Sequence, residues 1–345
     1  MSAPTKIDLL DRLPQEITDL LASHGQPPYR GMQIFQWIHD KKTADFESMT
    51  NLPKDLRNIL VENATISSLE PVAILDSKDG SRKLIFEVEQ GRQFSAILMP
   101  SLDRVTLCIS SQIGCRMGCQ FCLTGTMGRV RNLTAAEILG QVHAAIRLSP
   151  QRVSNVVFMG MGEPLDNLEA VIRAVKIITH REGLKIAPRR TTVSTVGLVP
   201  KLVEFIESGT KASIAISLCA TTDEARNRVV PIGKKYGIEA LISALEANRL
   251  PHGHVYTIEY QLISGVGDSL EDARRLSKML AHFPSKVNLI PFNPWLGSPY
   301  KRPTEEAIEA FKKILEARNH TVTIRHSRGQ DIGAACGQLG EVVSP

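Results

Sequence analysis

In the first seventy residues the hydrophobic positions recur at helical spacing. Ile7-Asp-Leu-Leu-Asp-Arg-Leu and Glu16-Ile-Thr-Asp-Leu-Leu each gather their apolar residues on one face, and Gly25-Gln-Pro-Pro interrupts the run. Met32-Gln-Ile-Phe-Gln-Trp-Ile begins another amphipathic segment, and Leu52-Pro-Lys-Asp-Leu-Arg a third with Pro53 early in its first turn. Over residues 71–100 the period shortens to two. Arg82-Lys-Leu-Ile-Phe-Glu-Val and Gln93-Phe-Ser-Ala-Ile-Leu-Met predict strands joined through Gln90-Gly91 as a hairpin, connecting the helical part to the remainder or covering one end of it.

From residue 101 strand and helix patterns alternate. Predicted strands at Arg104–Ser110, Val153–Met159, Arg190–Thr195, Ala212–Leu218, Val255–Ile263, Lys286–Pro291 and Thr321–Arg325 are separated by helical stretches. The first of those helices opens with the capping box Thr134-Ala-Ala-Glu137, followed by an apolar stripe of Ile138, Leu139, Val142 and Ile146. The others fall at Leu168–Ile178, Lys201–Glu207, between Asp223 and Ala247, at Leu270–Leu280 and at Thr304–Ala317. Repeated strand–helix units of this kind predict an α/β fold with a parallel sheet, closed only in part: a partial (β/α)6 TIM-like barrel carrying its chemistry on loops at the C-terminal ends of the strands. The expected organisation is a helical domain at 1–70, a β-hairpin connector at 71–100 and the barrel core at 101–345.

Composition narrows the class. The chain has 345 residues, of which 43% are hydrophobic and 22% charged, so it can bury a real core and is not disordered. There is no apolar run of membrane-spanning length and no basic leader before an apolar stretch, so the expected compartment is the cytoplasm. Charge is uneven: residues 1–70 hold 7 Lys+Arg and 10 Asp+Glu, whereas residues 71–345 hold 34 and 26. A basic core favours a polyanionic partner.

Three of the six cysteines crowd together in Cys115-Arg-Met-Gly-Cys119-Gln-Phe-Cys122. Three thiolates at this spacing, in a Gly-containing loop after a strand, can wrap one compact iron–sulfur centre and leave one iron open to another ligand. A structural zinc ion is the alternative, but it wants a fourth protein ligand, and no second Cys or His pair offers one.

The Cys-x3-Cys-x2-Cys spacing at the end of the first core strand resembles the radical S-adenosylmethionine (SAM) enzymes. Further segments resemble the RlmN/Cfr family of radical SAM adenine methyltransferases: Leu107-Cys108-Ile-Ser-Ser-Gln-Ile-Gly-Cys115, Met159-Gly-Met-Gly-Glu163-Pro-Leu, Val193-Ser-Thr-Val-Gly-Leu-Val-Pro200, Ile290-Pro-Phe-Asn293-Pro and Arg328-Gly-Gln-Asp-Ile-Gly-Ala-Ala-Cys336-Gly-Gln-Leu. The resemblance implies that Cys115, Cys119 and Cys122 hold one 4Fe-4S cluster. It implies that Gly162, Glu163, Ser194, Ser217, Leu218, Cys219 and Asn293 surround SAM, with Glu163 accepting from its amino group. It also implies that Cys336 is methylated by a first SAM, that a deoxyadenosyl radical from a second activates that methyl group, and that Cys108 resolves the RNA adduct through a disulfide with Cys336.

The activity so implied is methylation of adenine C2 in 23S rRNA, and in tRNA as a further substrate. The electron donor would be flavodoxin or ferredoxin, and the enzyme a monomer with an RNA-binding N-terminal domain. Methylation at C8, as in the Cfr branch, and an RNA-binding iron–sulfur protein without turnover are the rivals. Taken singly, Gly160-Met-Gly162 reads equally well as a tight turn, Asn293 as a turn residue between prolines, and Cys108 as a buried strand residue.

Two positions depart from the family's pattern. A Glu proposed as proton acceptor is replaced by Ser95, whose hydroxyl is a poor base, and the usual Ser-Leu-His or Ser-Leu-Asn reads Ser217-Leu218-Cys219. Glu87 and Glu89 lie near Ser95 in sequence, with nothing to bring them to the site. Basic residues at Arg129 and Arg131, Lys185 with Arg189 and Arg190, Arg226 and Arg228, Lys234 and Lys235, Lys301 and Arg302, and Arg325 and Arg328 read as loop charges for an RNA backbone or as solvated surface. Phe121, Phe292, Trp295 and Tyr300 are the candidates for stacking on bases.

Overall fold

The computed structural model describes residues 6–340; the start of the chain, part of the basis for expecting no leader, lies outside them. The N-terminal unit contains strand β1 (Ile7–Asp8), helices α1 (Pro14–Ala22), α2 (Tyr29–His39) and α3 (Lys54–Asn63), and strand β2 (Ala64–Thr65). Three of the expected helical segments are present, but Ile7–Leu13 is not helical. Ile7 and Asp8 pair in parallel with Ala64 and Thr65, and Asp8 accepts from the Leu10 and Ser67 amides. That side-chain competition and Pro14 together hold helix formation off until residue 14.

The connector is built into the core. Strands β3 (Pro71–Asp76), β4 (Arg82–Glu87) and β5 (Gln93–Pro100) pair antiparallel, and β5 pairs antiparallel with β6 (Val105–Cys108), the first strand of the barrel. After β6 come the small hairpin β7 (Gln112–Cys115) and β8 (Gly128–Asn132), with the short helix α4 (Leu123–Thr126) between them. The alternating part follows as α5 (Ala135–Leu148), β9 (Val153–Phe158), α6 (Leu168–Ile178), β10 (Thr191–Thr195), α7 (Val199–Glu207) and β11 (Ser213–Ser217). It continues as α8 (Asp223–Val229), α9 (Ile238–Ala247), β12 (Tyr256–Leu262), α10 (Leu270–Leu280), β13 (Ser285–Pro291), α11 (Glu305–Glu316) and β14 (Thr321–Ile324).

One ten-stranded sheet runs β14-β13-β12-β11-β10-β9-β6-β5-β4-β3, parallel from β6 to β14 and antiparallel at the connector end. The parallel strands form the expected partial barrel, whose edges at β6 and β14 do not pair with each other. Residues on β12 explain its interior. Tyr256, Ile258, Tyr260 and Leu262 alternate with Thr257, Glu259 and Gln261, and all seven are buried. The polar set shares one face and Gln261 and Glu259 line the central cavity, so the apolar set packs toward the helices. The capping box at α5 forms as expected, Glu137 N–H donating to Thr134 Oγ1 (3.1 Å) and Thr134 N–H to Glu137 Oε2 (2.8 Å). Among the described residues no helix is long and apolar enough to cross a membrane.

The N-terminal unit docks on α5 and α6. Arg173 meets Glu16 at 2.6 Å and Lys185 meets Asp40 at 2.8 Å, while His39 Nδ1 lies 3.1 Å from His143 Nε2 inside the joint. Burial pushes the His143 pKa down to about 4, and burial with His143 and His180 nearby holds His39 well below its ordinary value. The unfolded chain therefore binds more protons than the folded one below about pH 6.5. Stability falls as pH drops from there to about 4, by about 3 kcal/mol for His143 across that window. Melting temperature followed from pH 7 to pH 5 will decline more steeply in the parent protein than in a His143→Asn variant; equal slopes would contradict this reading of the joint.

Candidate active site

The cysteine motif follows directly from local geometry. Cys115 ends β7, Cys119 and Cys122 lie in the turn that follows, and Cys122 is the residue preceding α4. The turn closes tightly because residue 125 is glycine: a Cβ there would stand 2.7 Å from the Cys119 carbonyl oxygen. All three thiols line one cavity at the centre of the barrel, and their mutual proximity is felt electrostatically, Cys119 being raised by burial and then by Cys122, Cys219 and Cys115. Burial also pushes Cys115 up to about 12. Three crowded thiols that resist ionising alone suit an iron–sulfur cluster, whose positive irons stabilise the thiolates.

The cavity is open to solvent on one side, so a ligand can reach the thiols from outside. Gly162, Glu163, Ser194 and Ser217, expected around SAM, all line it with the three cysteines and Cys336. Gly162 has φ +101°, and a Cβ there would come within 2.5 Å of the Gln112 side chain, so the turn after β9 demands glycine. Glu163 is buried. Its Oε1 accepts from Leu165 N–H at 3.0 Å and its Oε2 from Val196 N–H at 2.9 Å. Burial pushes its pKa up to about 7 against those bonds. A carboxylate has more acceptor capacity than two amides use, which leaves room for an ammonium donor from the cavity.

Leu218, Cys219 and Asn293 stand behind the lining rather than in it. Leu218 N–H donates to the Glu259 carbonyl. Cys219 has φ +65°, a left-handed conformation that Asn and His tolerate better than cysteine, which gives the family's usual residue there a backbone reason. The Asn293 amide is held by the Cys336 loop: Nδ2 donates to the Cys336 carbonyl (2.9 Å), and Oδ1 accepts from Ser327 Oγ (2.5 Å) and Gln330 Nε2 (3.1 Å).

That loop is pinned along both sides. Asp79 accepts from Gly329 N–H (2.8 Å), Ser77 Oγ donates to Asp331 (2.6 Å), and Leu123 N–H donates to the Gly337 carbonyl (2.7 Å). The turn between β3 and β4 thus braces the loop against the cysteine motif. Cys108, at the end of β6, is buried, and its pKa is pushed up to about 12 by burial and then by Cys336, so the two sulfurs are near one another. Both are free thiols and no disulfide joins them.

Three charged residues at the site escaped sequence reasoning. Arg226, expected on a solvated loop, is completely buried and ties the ends of β10 and β11 to the segment before α9 through the carbonyls of Val196 (2.6 Å), Leu218 (3.1 Å) and Tyr236 (3.2 Å). Arg325, also expected on the surface, lines the cavity, where its charge is stabilised by Cys336, Glu259 and Cys108. Glu259 lines it as well. Strand periodicity marks Glu259 and Arg325 only as polar, and nothing local in the sequence marks Arg226. Other basic candidates are engaged on the protein itself: Arg131 forks between Glu89 and Glu137, and Arg328 binds Asp79. Ser95 is buried on β5, and of Glu87 and Glu89, neither lines the cavity.

Comparison with known proteins agrees with this geometry. Residues 7–66 match the family described as the ribosomal RNA large subunit methyltransferase N-terminal domain, and residues 109–276 match the radical SAM superfamily. A protein named dual-specificity RNA methyltransferase RlmN from Geotalea uraniireducens is 48% identical over 97% of this chain and 96% of its own. One of the same name from Marinomonas sp. is 44% identical over 97% and 93%. The crystal structure of a radical SAM methyltransferase from Sphaerobacter thermophilus superposes with a TM-score of 0.89 at 42% identity, covering 96% of this chain and 99% of that one. With identity of this level along both full lengths, and a fold and cysteine-lined cavity to match, the chain belongs to the RlmN family of radical SAM methyltransferases.

Proposed function

We propose that the protein methylates C2 of an adenine in 23S rRNA and in tRNA, using Cys336 as the methyl carrier. The observation that carries this reading is the convergence of Cys336, the three clustered cysteines and Glu163 on one cavity, with Cys108 buried behind Cys336. A ribosomal RNA methyltransferase domain at the N-terminus, and relatives named dual-specificity RNA methyltransferases, support RNA of two kinds as substrate.

When bound, the reduced 4Fe-4S cluster supplies the electron that cleaves SAM to a 5′-deoxyadenosyl radical. The chain's own residues supply the remainder. Cys115, Cys119 and Cys122 are the cluster ligands. Glu163 orients the SAM amino group, with Gly162, Ser194 and Ser217 shaping the wall beside it and the Leu218, Cys219 and Asn293 segments supporting that wall. Cys336 takes a methyl group from one SAM and presents it to the product of a second. Cys108 then attacks the Cys336 sulfur, so that a disulfide forms as the carbon–sulfur bond breaks. This two-SAM route is needed because adenine C2 is too poor a nucleophile to attack a methyl sulfonium directly.

The three-part organisation gains roles on this reading: 1–70 engages RNA, 71–100 braces the Cys336 loop and 101–345 performs the chemistry. A flavodoxin or ferredoxin donates electrons, and the enzyme works as a cytoplasmic monomer. The test is nucleoside mass spectrometry of rRNA and tRNA from a host lacking its own homologue and expressing this chain. 2-Methyladenosine in both fractions is the expected result. 8-Methyladenosine would instead identify the Cfr-like reaction, and no methylated adenosine from protein with an intact cluster would overturn the proposal.

A further inference from the structure

This inference rests on the adenine-C2 reading above. Loss of the C2 proton from the RNA adduct needs a base, and the family's Glu is Ser95 in this chain. The Ser95 hydroxyl cannot serve at neutral pH, and its backbone carbonyl is occupied by Ser110 Oγ at 2.7 Å. The cavity wall offers two carboxylates. Glu163 accepts a backbone amide at each oxygen, and on the reading above its remaining acceptor capacity goes to the SAM amino group. Glu259 does not: it is 3% exposed, its Oε1 accepts from Asn288 Nδ2 at 3.0 Å, and its Oε2 is buried without any partner. A buried carboxylate oxygen without a partner, on a residue that lines the ligand cavity, is costly to maintain and calls for a counterpart.

The placement is specific. Glu259 lies opposite Ser217 on β11 and Asn288 on β13 in the sheet register, so its strand position is fixed on both sides. Arg325 sits within electrostatic reach of Glu259 and of Cys336 alike, which puts the carboxyl and the methyl-carrying sulfur around one guanidinium. Burial pushes the Glu259 pKa up, while Arg325, the Asn288 bond and Lys286 draw it down. A carboxylate held between those influences can both accept and return a proton.

We infer that Glu259 is the proton acceptor of this enzyme, standing in for the glutamate that Ser95 replaces. Once the methylene carried by Cys336 has bonded to C2 and the adduct radical has given up one electron, which the iron–sulfur centre would accept, C2 holds both its hydrogen and the methylene. The C2–H bond breaks, its proton goes to Oε2 of Glu259, and the electron pair restores the ring double bond. As Cys108, its thiol proton given up to solvent, attacks the Cys336 sulfur, the carbon–sulfur pair stays on the methylene carbon, which takes the proton back from Glu259 to become the methyl group.

The test compares the parent protein with Glu259→Gln, each as the cluster-loaded enzyme with SAM, a chemical reductant and 23S rRNA fragments. The variant should lose 2-methyladenosine by about 100-fold or more, yet make 5′-deoxyadenosine within about threefold of the parent. It should also accumulate an RNA–protein species whose digest carries a nucleoside mass on the Cys336 peptide. Deoxyadenosine formation reports that fold, cluster and SAM site survive. Unchanged methyl product, or loss of deoxyadenosine along with it, would overturn the assignment of Glu259. Absence of 2-methyladenosine from the parent itself would instead overturn the adenine-C2 reading beneath it.

Discussion

Replacing Cys336 by alanine will abolish methyl transfer to RNA, by about 10³-fold or more, while leaving the iron–sulfur centre in place. The side chain stands on the cavity wall, so its sulfur is available to SAM and to RNA. The loop's attachments at this point are made by backbone instead: the Cys336 carbonyl to Asn293, and the Gly337 carbonyl to Leu123. Alanine keeps both, and keeps the bracing of Asp79 and Asp331 further back along the loop. The variant therefore removes one reactive atom without unseating the segment that carries it. Mass spectrometry of product nucleosides, read beside iron and sulfide content, separates these effects. Methylated RNA from the alanine variant would remove Cys336 from the chemistry, and loss of iron would show that its thiol also supports the centre.

The strand–helix alternation was legible because helices such as α5, α6 and α10 bury an apolar stripe and central strands such as β11 and β12 are largely buried on both faces. Misreadings fall where that signal fails. Ile7–Leu13 has helical spacing, but Asp8 captures backbone amides and the segment pairs with residues nearly sixty positions away. β3 escaped notice as an edge strand with most of its side chains exposed, including Val72, Ile74 and Leu75, so no buried face imposes alternation. β7 and β8 are too short to show a period, and the sequence sees them only as the stretch around the cysteines.

The site divides in the same way. Its thiols were legible because three cysteines in eight residues have few chemical explanations. Arg226, Glu259 and Arg325 were not, because a charged residue reads as solvent-facing until the barrel closes around it. Arg226 acquires its partners from Val196, Leu218 and Tyr236, which only tertiary folding brings together. Asn293 illustrates a subtler limit: a motif can locate a residue at the site without revealing that its amide is committed to the neighbouring loop.

Cys119→Ala will lose the iron–sulfur centre altogether, whereas Cys219→Ala will keep it. The contrast is informative because both thiols are buried and lie within electrostatic reach of each other, so proximity alone does not decide which is a ligand. Cys119 sits in the turn between Cys115 and Cys122 and lines the cavity with them. Cys219 lies behind the lining, fixed by its φ of +65° and flanked by Leu218, whose carbonyl is bound by Arg226. Swinging Cys219 into a vacated ligand position would require giving up that strand-end anchorage. The two remaining thiols of the motif cannot replace the third, since a centre held by two cysteines exposes a second iron and loses a thiolate's charge stabilisation. Iron and sulfide assays after anaerobic reconstitution, with the visible absorption spectrum, distinguish the variants. A full iron load in Cys119→Ala, or equal loss in Cys219→Ala, would overturn the ligand set of Cys115, Cys119 and Cys122.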